Sequence, residues 1–322
     1  MKHVKEIPLN KLNTKSFIKA EVDKIRKTVG SGIAVNALSG GVDSSVVTLI
    51  GHRALGKRLK TYFIDNGIMR KDEPREIVSL FKKMGVPVEL IDAKKAFFGH
   101  LKGKTDPEKK RQAITDAFYK DVFSKLVKKS KAGFLLQGTN YTDIEETVAG
   151  IKRQHNILEQ LGIDTKKAYG YKVIEPLIEL RKPAVRVVGK TLGLPKELFS
   201  RPPFPGPALA ARVIGEANPK RIEIVRQATS IVERTLSKTD AFQYLAILHE
   251  DRVTGIRAGK RDFGLQIEVR CWESKDAKTA TPTKVPFNIL TKLAKDITAK
   301  VPGVVSVTYN ITSKPSSTIE AI

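Results

Sequence analysis

The chain has 322 residues, 41% apolar and 29% charged, enough for one large core or two ordinary domains. It has no run of about 18 apolar residues to cross a membrane, and its single cysteine, Cys271, excludes an intrachain disulfide, a four-cysteine zinc site and a Cys-x-x-Cys pair. With 58 Lys and Arg against 34 Asp and Glu, the net charge is +24, which suits nucleic acid, phosphorylated metabolites or an acidic partner.

The opening Met1–Pro8 lacks the apolar core of a signal peptide, so a cytoplasmic protein is expected, with no membrane partner. Residues 14–30 set Phe17, Ile18, Val22, Ile25 and Val29 at helical spacing, an amphipathic helix ahead of the first strand. Ile33–Leu38 then reads as a strand. It runs into Ser39-Gly40-Gly41-Val42-Asp43-Ser44-Ser45 and an apolar helix-compatible segment, giving strand, tight turn and helix N-terminus.

Such a turn presents backbone N–H groups at the positive end of a helix dipole, a receptor for an anion. Gly40 and Gly41 permit close approach, and Ser39, Ser44 and Ser45 add hydroxyls. Asp43 is acidic for a phosphate nest, which makes sense if Mg²⁺ lies between it and the phosphates. The string is not the G-x-x-x-x-G-K-[ST] loop.

Thr61–Asp65, Val86–Ile91 and Gly133–Gln137 read as further strands alternating with helical segments, an α/β doubly wound parallel sheet. Ligands in such sheets bind beyond the carboxyl ends of the strands. That gathers Ser39–Ser45, Asp65–Gly67 and the Gly138, Thr139 loop at one edge. Phe63 and Ile64 suit either the flank of an adenine ring or plain strand core.

Between Lys94 and Lys131 there are 12 basic and 4 acidic residues, a solvated face or an RNA contact, with no aromatic-interleaved RNA motif beside it. Residues 140–172 are polar and weakly periodic, as a lid over a nucleotide would be. Within them Asp143 and Glu146 share a helical face, as metal ligands or as ordinary acidic surface.

At Pro202–Pro207, four prolines and a glycine in six residues make a rigid connector, so the domains are expected at 1–200 and 201–322. Beyond it Ile222–Leu236 and Asn288–Ile297 read as helices, and Phe242–Leu248, Leu265–Cys271 and Val304–Ile311 as strands, a smaller α+β domain without repeats.

The Ser39–Ser45 string resembles the pyrophosphate loop of the N-type ATP pyrophosphatases. The connector with Ala208–Glu216 and the tail Tyr309–Glu320 resemble the signatures of GMP synthetases, as do Asp65-Asn66-Gly67, Gln137-Gly138-Thr139, and Lys152 with His155-Asn156. The resemblance implies ATP and Mg²⁺, and attack of the O2 of xanthosine monophosphate on the α-phosphorus of ATP. Ammonia then displaces AMP. It implies that Ser39–Ser45 hold pyrophosphate, that Asp43, with Asp143 and Glu146, acts around Mg²⁺, and that Lys152 charges the lid. Arg212 and Lys314 would bind the nucleotide phosphate, with Gln243, Ile319 and Glu320 beside the nucleotide. A homodimer through residues 208–322 is also implied. The chain carries no glutaminase module, as in the two-subunit archaeal type, so ammonia would come from a separate glutaminase subunit.

Several residues depart from the family pattern: Gln154, Leu158 and Glu159 in the lid, Ala208 in place of Gly, and Ser316, Ser317 and Ala321 in the tail. Two other readings suit these departures. One is a paralogue that adenylates another carbonyl, a base in RNA among the acceptors, and the other a non-catalytic nucleotide-binding subunit.

Overall fold

A computed structural model describes residues 4–148, 170–200, 204–257, 259–275 and 278–321. In chain order the larger elements are α1 (Thr14–Val29), β1 (Ala34–Ala37), α2 (Val42–Leu55), β2 (Leu59–Asp65), α3 (Glu73–Lys83) and β3 (Val88–Asp92). Next come α4 (Lys94–Leu101), α5 (Pro107–Asp116), α6 (Ser124–Ser130), β4 (Phe134–Leu136), α7 (Tyr141–Val148), β5 (Lys172–Ile174) and α8 (Lys182–Leu192). After α9 (Lys196–Ser200), a 3-10 turn at Ala208–Arg212 leads to α10 (Pro219–Leu236), β6 (Gln243–Arg257), β7 (Lys260–Glu273), β8 (Thr281–Pro282), α11 (Phe287–Lys300) and β9 (Val304–Tyr309).

The described chain forms two compact units. The first comprises Met1–Asp65, Glu73–Asp92 and Val122–Arg201; the second, Asn66–Asp72, Ala93–Asp121 and Pro202–Ile322. Two excursions of the first half, 66–72 and 93–121, therefore pack with the second half of the chain.

In the first unit five parallel strands run in the order β3-β2-β1-β4-β5. The order reverses direction between β1 and β4, so their carboxyl ends open the crevice where such sheets take ligands. The doubly wound reading therefore holds. A fifth strand, β5, follows the polar stretch and had no expectation attached to it, because its three residues, Lys172, Val173 and Ile174, are too few to display a period. A buried polar thread ties this sheet to α2. Thr61 Oγ1 donates to Asn36 Oδ1 at 2.7 Å, Asn36 Nδ2 donates to Thr48 Oγ1 at 2.6 Å, and Thr48 Oγ1 donates to the Ser44 carbonyl at 2.8 Å. Each group is satisfied in a dry interior, so the thread fixes the first turn of α2 on the strands.

The second unit is a mixed sheet packed on α10 and α11. β6 and β7 form a long antiparallel hairpin, β8 extends it, and β9 pairs β7 in parallel. Ile222, Val225, Ala228 and Val232 of α10 share a core with Leu248, Ile267 and Val269 of the hairpin and with Leu293 and Ile297 of α11. The hairpin runs well past the expected strands at 242–248 and 265–271. Its outer arm, with Asp251, Arg252, Arg261 and Asp262, has no continuous apolar face for a period to reveal.

Candidate functional site

The Ser39–Ser45 turn joins the carboxyl end of β1 to the N-terminus of α2. Gly41 caps that helix and has no side chain to bond its first-turn amides, which leaves them to a ligand. Gly40 lies at φ +79°, a conformation that favours glycine, and a Cβ there would crowd Ile77 Cγ1 at 3.3 Å. Serine hydroxyls set the turn. The Ser39 N–H donates to Ser44 Oγ at 3.2 Å, the two hydroxyl oxygens lie 2.9 Å apart, and Ser44 Oγ donates to the Gly41 carbonyl at 3.1 Å. Ser45 is fully buried, and its Oγ has no hydrogen-bond partner among the described residues.

The loop after β4 closes the other side. A Cβ on Gly138 would fall 3.2 Å from both the Asp43 carbonyl carbon and the Ser44 nitrogen, which are main-chain atoms and cannot swing aside. Gly138→Ala is therefore expected to push the two loops apart, costing about 1–3 kcal/mol by overpacking and weakening ATP binding. Chemical denaturation with and without ATP checks this.

Two residues on, Asn140 is fully buried and serves both acidic groups. Its Nδ2 donates to Asp43 Oδ2 at 3.3 Å. Its main-chain N–H donates to Asp143 Oδ2 at 3.1 Å, while the Asp143 N–H donates to Asn140 Oδ1 at 3.2 Å. The reciprocal pair is a capping box that starts α7 and holds Asp143 near Asp43.

Burial, and then the negative charge of Asp143, push the Asp43 carboxyl up to about 6, against the opposing pull of Lys182, the Asn140 hydrogen bond and Arg186. Two carboxylates at one anion-binding turn suit a hard divalent cation. Among the described residues no group of three or more His, Cys, Asp and Glu forms a cage. That donor set fits Mg²⁺, which keeps waters and shares phosphate oxygens, better than an ion needing a full protein shell.

The second unit gathers the predicted nucleotide contacts at its carboxyl-terminal tail. Arg212, 1% exposed, donates through Nε and Nη2 to the Glu320 carboxylate at 3.2 and 3.1 Å, and Gln243 Nε2 donates to Glu320 Oε1 at 2.7 Å. The Arg212 guanidinium also stacks on Phe204, 4.8 Å from the ring centre, and its Nη1 is buried without a hydrogen-bond partner among the described residues. Ile319 packs with Leu245, Ile247, Trp272 and Ala280. Lys314 and Ala280 exchange main-chain hydrogen bonds at 2.8 and 3.1 Å, which brings the tail alongside the chain before β8.

Ala208, the departure in the connector, has φ +51° and is buried. A left-handed alanine is strained, and glycine loses more chain entropy on folding. The balance predicts that Ala208→Gly stabilises the protein by about 0.5–1 kcal/mol, seen as a higher denaturation midpoint.

Other predicted residues fall as follows. Phe63 is fully buried and Ile64 nearly so, both within β2. Glu146 lies in α7 with Asp143. Lys152, His155, Asn156 and the lid departures Gln154, Leu158 and Glu159 lie outside the described residues. Asn140 joins the site without a functional motif of its own, although Asn-x-x-Asp is a capping signature. Lys182 and Arg186, one turn apart at the start of α8, join it too, and their charges act on Asp43. The i, i+4 spacing was their only signal.

Comparison with known proteins supplies the relatives. A family model described as NAD synthase matches residues 12–211, and one described as GMP synthase C terminal domain matches residues 230–321. A protein named as one subunit of a glutamine-hydrolyzing GMP synthase, from Archaeoglobus fulgidus, is 45% identical over 310 residues, covering 96% of this chain and 99% of the relative. Proteins bearing the same name from Thermococcus kodakarensis and Methanocaldococcus jannaschii are 42% and 40% identical over 311 residues, each covering 95% of this chain and 98% of the relative.

Proposed function

The chain belongs to this family of GMP synthase subunits, and on that premise we propose that it aminates xanthosine monophosphate to GMP at the expense of ATP. The purine O2 attacks the α-phosphorus, the bond to pyrophosphate breaks, and an adenylated nucleotide forms. Ammonia then adds at C2, AMP leaves, and the surplus proton passes to solvent. The observation that carries this reading is the complete Ser39–Ser45 turn at the N-terminus of α2, seated at the point where the sheet order reverses.

Each residue has a physical task. Ser39, Gly40, Gly41, Val42, Asp43, Ser44 and Ser45 hold the departing pyrophosphate through main-chain N–H groups and hydroxyls, with Gly138 and Thr139 bounding the pocket. Phe63 and Ile64, whose side chains are strand core, would meet the adenine only through the main chain of β2. Asp43, with Asp143 and Glu146, holds Mg²⁺, which when bound neutralises charge on the phosphates. Lys152 in the lid, with Lys182 and Arg186 on α8, adds positive charge. Arg212 and Lys314 take the nucleotide phosphate, and Gln243, Ile319 and Glu320 orient the nucleotide, so catalysis is mainly positioning. Ammonia comes from a separate glutaminase subunit, in keeping with relatives that are named as one subunit of a glutamine-hydrolyzing enzyme. The chain acts as a homodimer through residues 208–322. No helix among the described residues is long and apolar enough to cross a membrane.

The test is release of AMP, pyrophosphate and GMP by the purified chain with ATP, Mg²⁺ and ammonium, with and without xanthosine monophosphate. Equal amounts of AMP and GMP, formed only with the nucleotide present, are expected. ATP binding without GMP at any ammonium concentration would sink the reading.

A further inference from the structure

Behind the tail lies a buried ionic cluster to which the chemistry above gives no task. Glu268 on β7 is 8% exposed and bonded on both oxygens. Oε1 accepts from Arg270 Nε at 2.5 Å and from Asn310 Nδ2 at 2.9 Å, and Oε2 lies 2.7 Å from His249 Nε2. Burial would raise the Glu268 carboxyl, but these bonds outweigh it and hold the group at about 2, so it stays ionised. Arg270, also 8% exposed, turns its Nη1 outward to the tail, donating to the carbonyls of Thr318 at 2.7 Å and Glu320 at 3.2 Å.

A buried ion cluster is weak support for stability, because desolvation offsets the attraction. What this one does is geometric. Arg270 grips the tail by its main chain on one side while Arg212 and Gln243 grip Glu320 by its side chain on the other. A planar guanidinium can serve Glu268 and two carbonyls at once, which a lysine ammonium cannot do in the same plane.

We propose that Arg270, held in place by Glu268, His249 and Asn310, is a positioning residue that fixes Thr318–Glu320 in the shape that receives the nucleotide. This rests on the tail being the nucleotide contact, as argued above.

The test combines kinetics with hydrogen exchange of residues 311–321 in the nucleotide-free protein, for Glu268→Gln, Asn310→Ala, Arg270→Lys and Arg270→Met. The expected result is a nucleotide KM raised about tenfold, with kcat and the KM for ATP within about twofold, because only the tail is misplaced. Tail exchange should rise in every variant, with Arg270→Lys retaining more protection than Arg270→Met. An unchanged nucleotide KM in folded variants, or equal losses in kcat and both KM values, would overturn the proposal. If the wild-type chain forms no GMP, the functional reading fails by itself, and exchange still decides the anchor: a tail equally protected in all variants refutes it. Should the Arg270 variants not fold, the two milder substitutions decide.

Discussion

Asp43→Asn is expected to lower GMP formation by about 10²–10³-fold while making the protein more stable at pH 8. On the proposed reading, the loss follows from removing a carboxylate that would hold the cation beside the phosphates as charge develops on the leaving pyrophosphate. The gain follows from linkage. The Asp43 carboxyl titrates near 6 in the folded chain and near 4 when unfolded. Below pH ~4 both states hold the proton, and Asp43 costs nothing. As pH rises from ~4 through ~6 the unfolded chain releases its proton first, so the folded state loses relative stability up to a plateau of about 3 kcal/mol. Asparagine has no such proton, so the variant's advantage should grow across that window and stay flat above it. Denaturation midpoints of both proteins at pH 4, 6 and 8 in chelator check this. An advantage that does not change with pH would mean that Asp43 is not strained by burial and Asp143.

Arg212→Met is expected to cost about 3 kcal/mol, because it leaves the Glu320 carboxylate, 20% exposed, with Gln243 as its only hydrogen-bond partner among the described residues. On the proposed reading the same guanidinium binds the nucleotide phosphate, so nucleotide affinity should fall as well. Stability and binding are separable here. Adding Glu320→Gln to Arg212→Met removes the stranded charge, and most of the lost stability should return, whereas nucleotide affinity should not. A double-mutant cycle read by denaturation and by the nucleotide KM gives the coupling directly. Additive stability losses would show that the pair does not interact in solution.

Such a group reached its place by means that one chain segment cannot display. Arg212, Gln243 and Glu320 are up to 108 positions apart and meet only because the tail lies against the start of β6. The motif contexts of Arg212 and Glu320 pointed to a nucleotide, but nothing in either context says that they bond each other. Glu268 and His249 carried no signal at all, since a charged residue in a strand looks the same whether it faces water or a buried arginine.

Where the governing physics is local, the order of residues was enough. A strand-length apolar run, two glycines and a helix-opening Asp and Ser pair specify the turn between β1 and α2, because dihedral freedom, capping and apolar period act within a few residues. The alternation of strands and helices likewise specified a doubly wound sheet. Long-range packing settled what remained. The order β3-β2-β1-β4-β5 puts Gly138 and Asn140 against Asp43, the latter pair 97 positions apart in sequence. The passage of 66–72 and 93–121 into the second unit was equally hidden, because an amphipathic helix advertises that it has an apolar face but not which core will cover it.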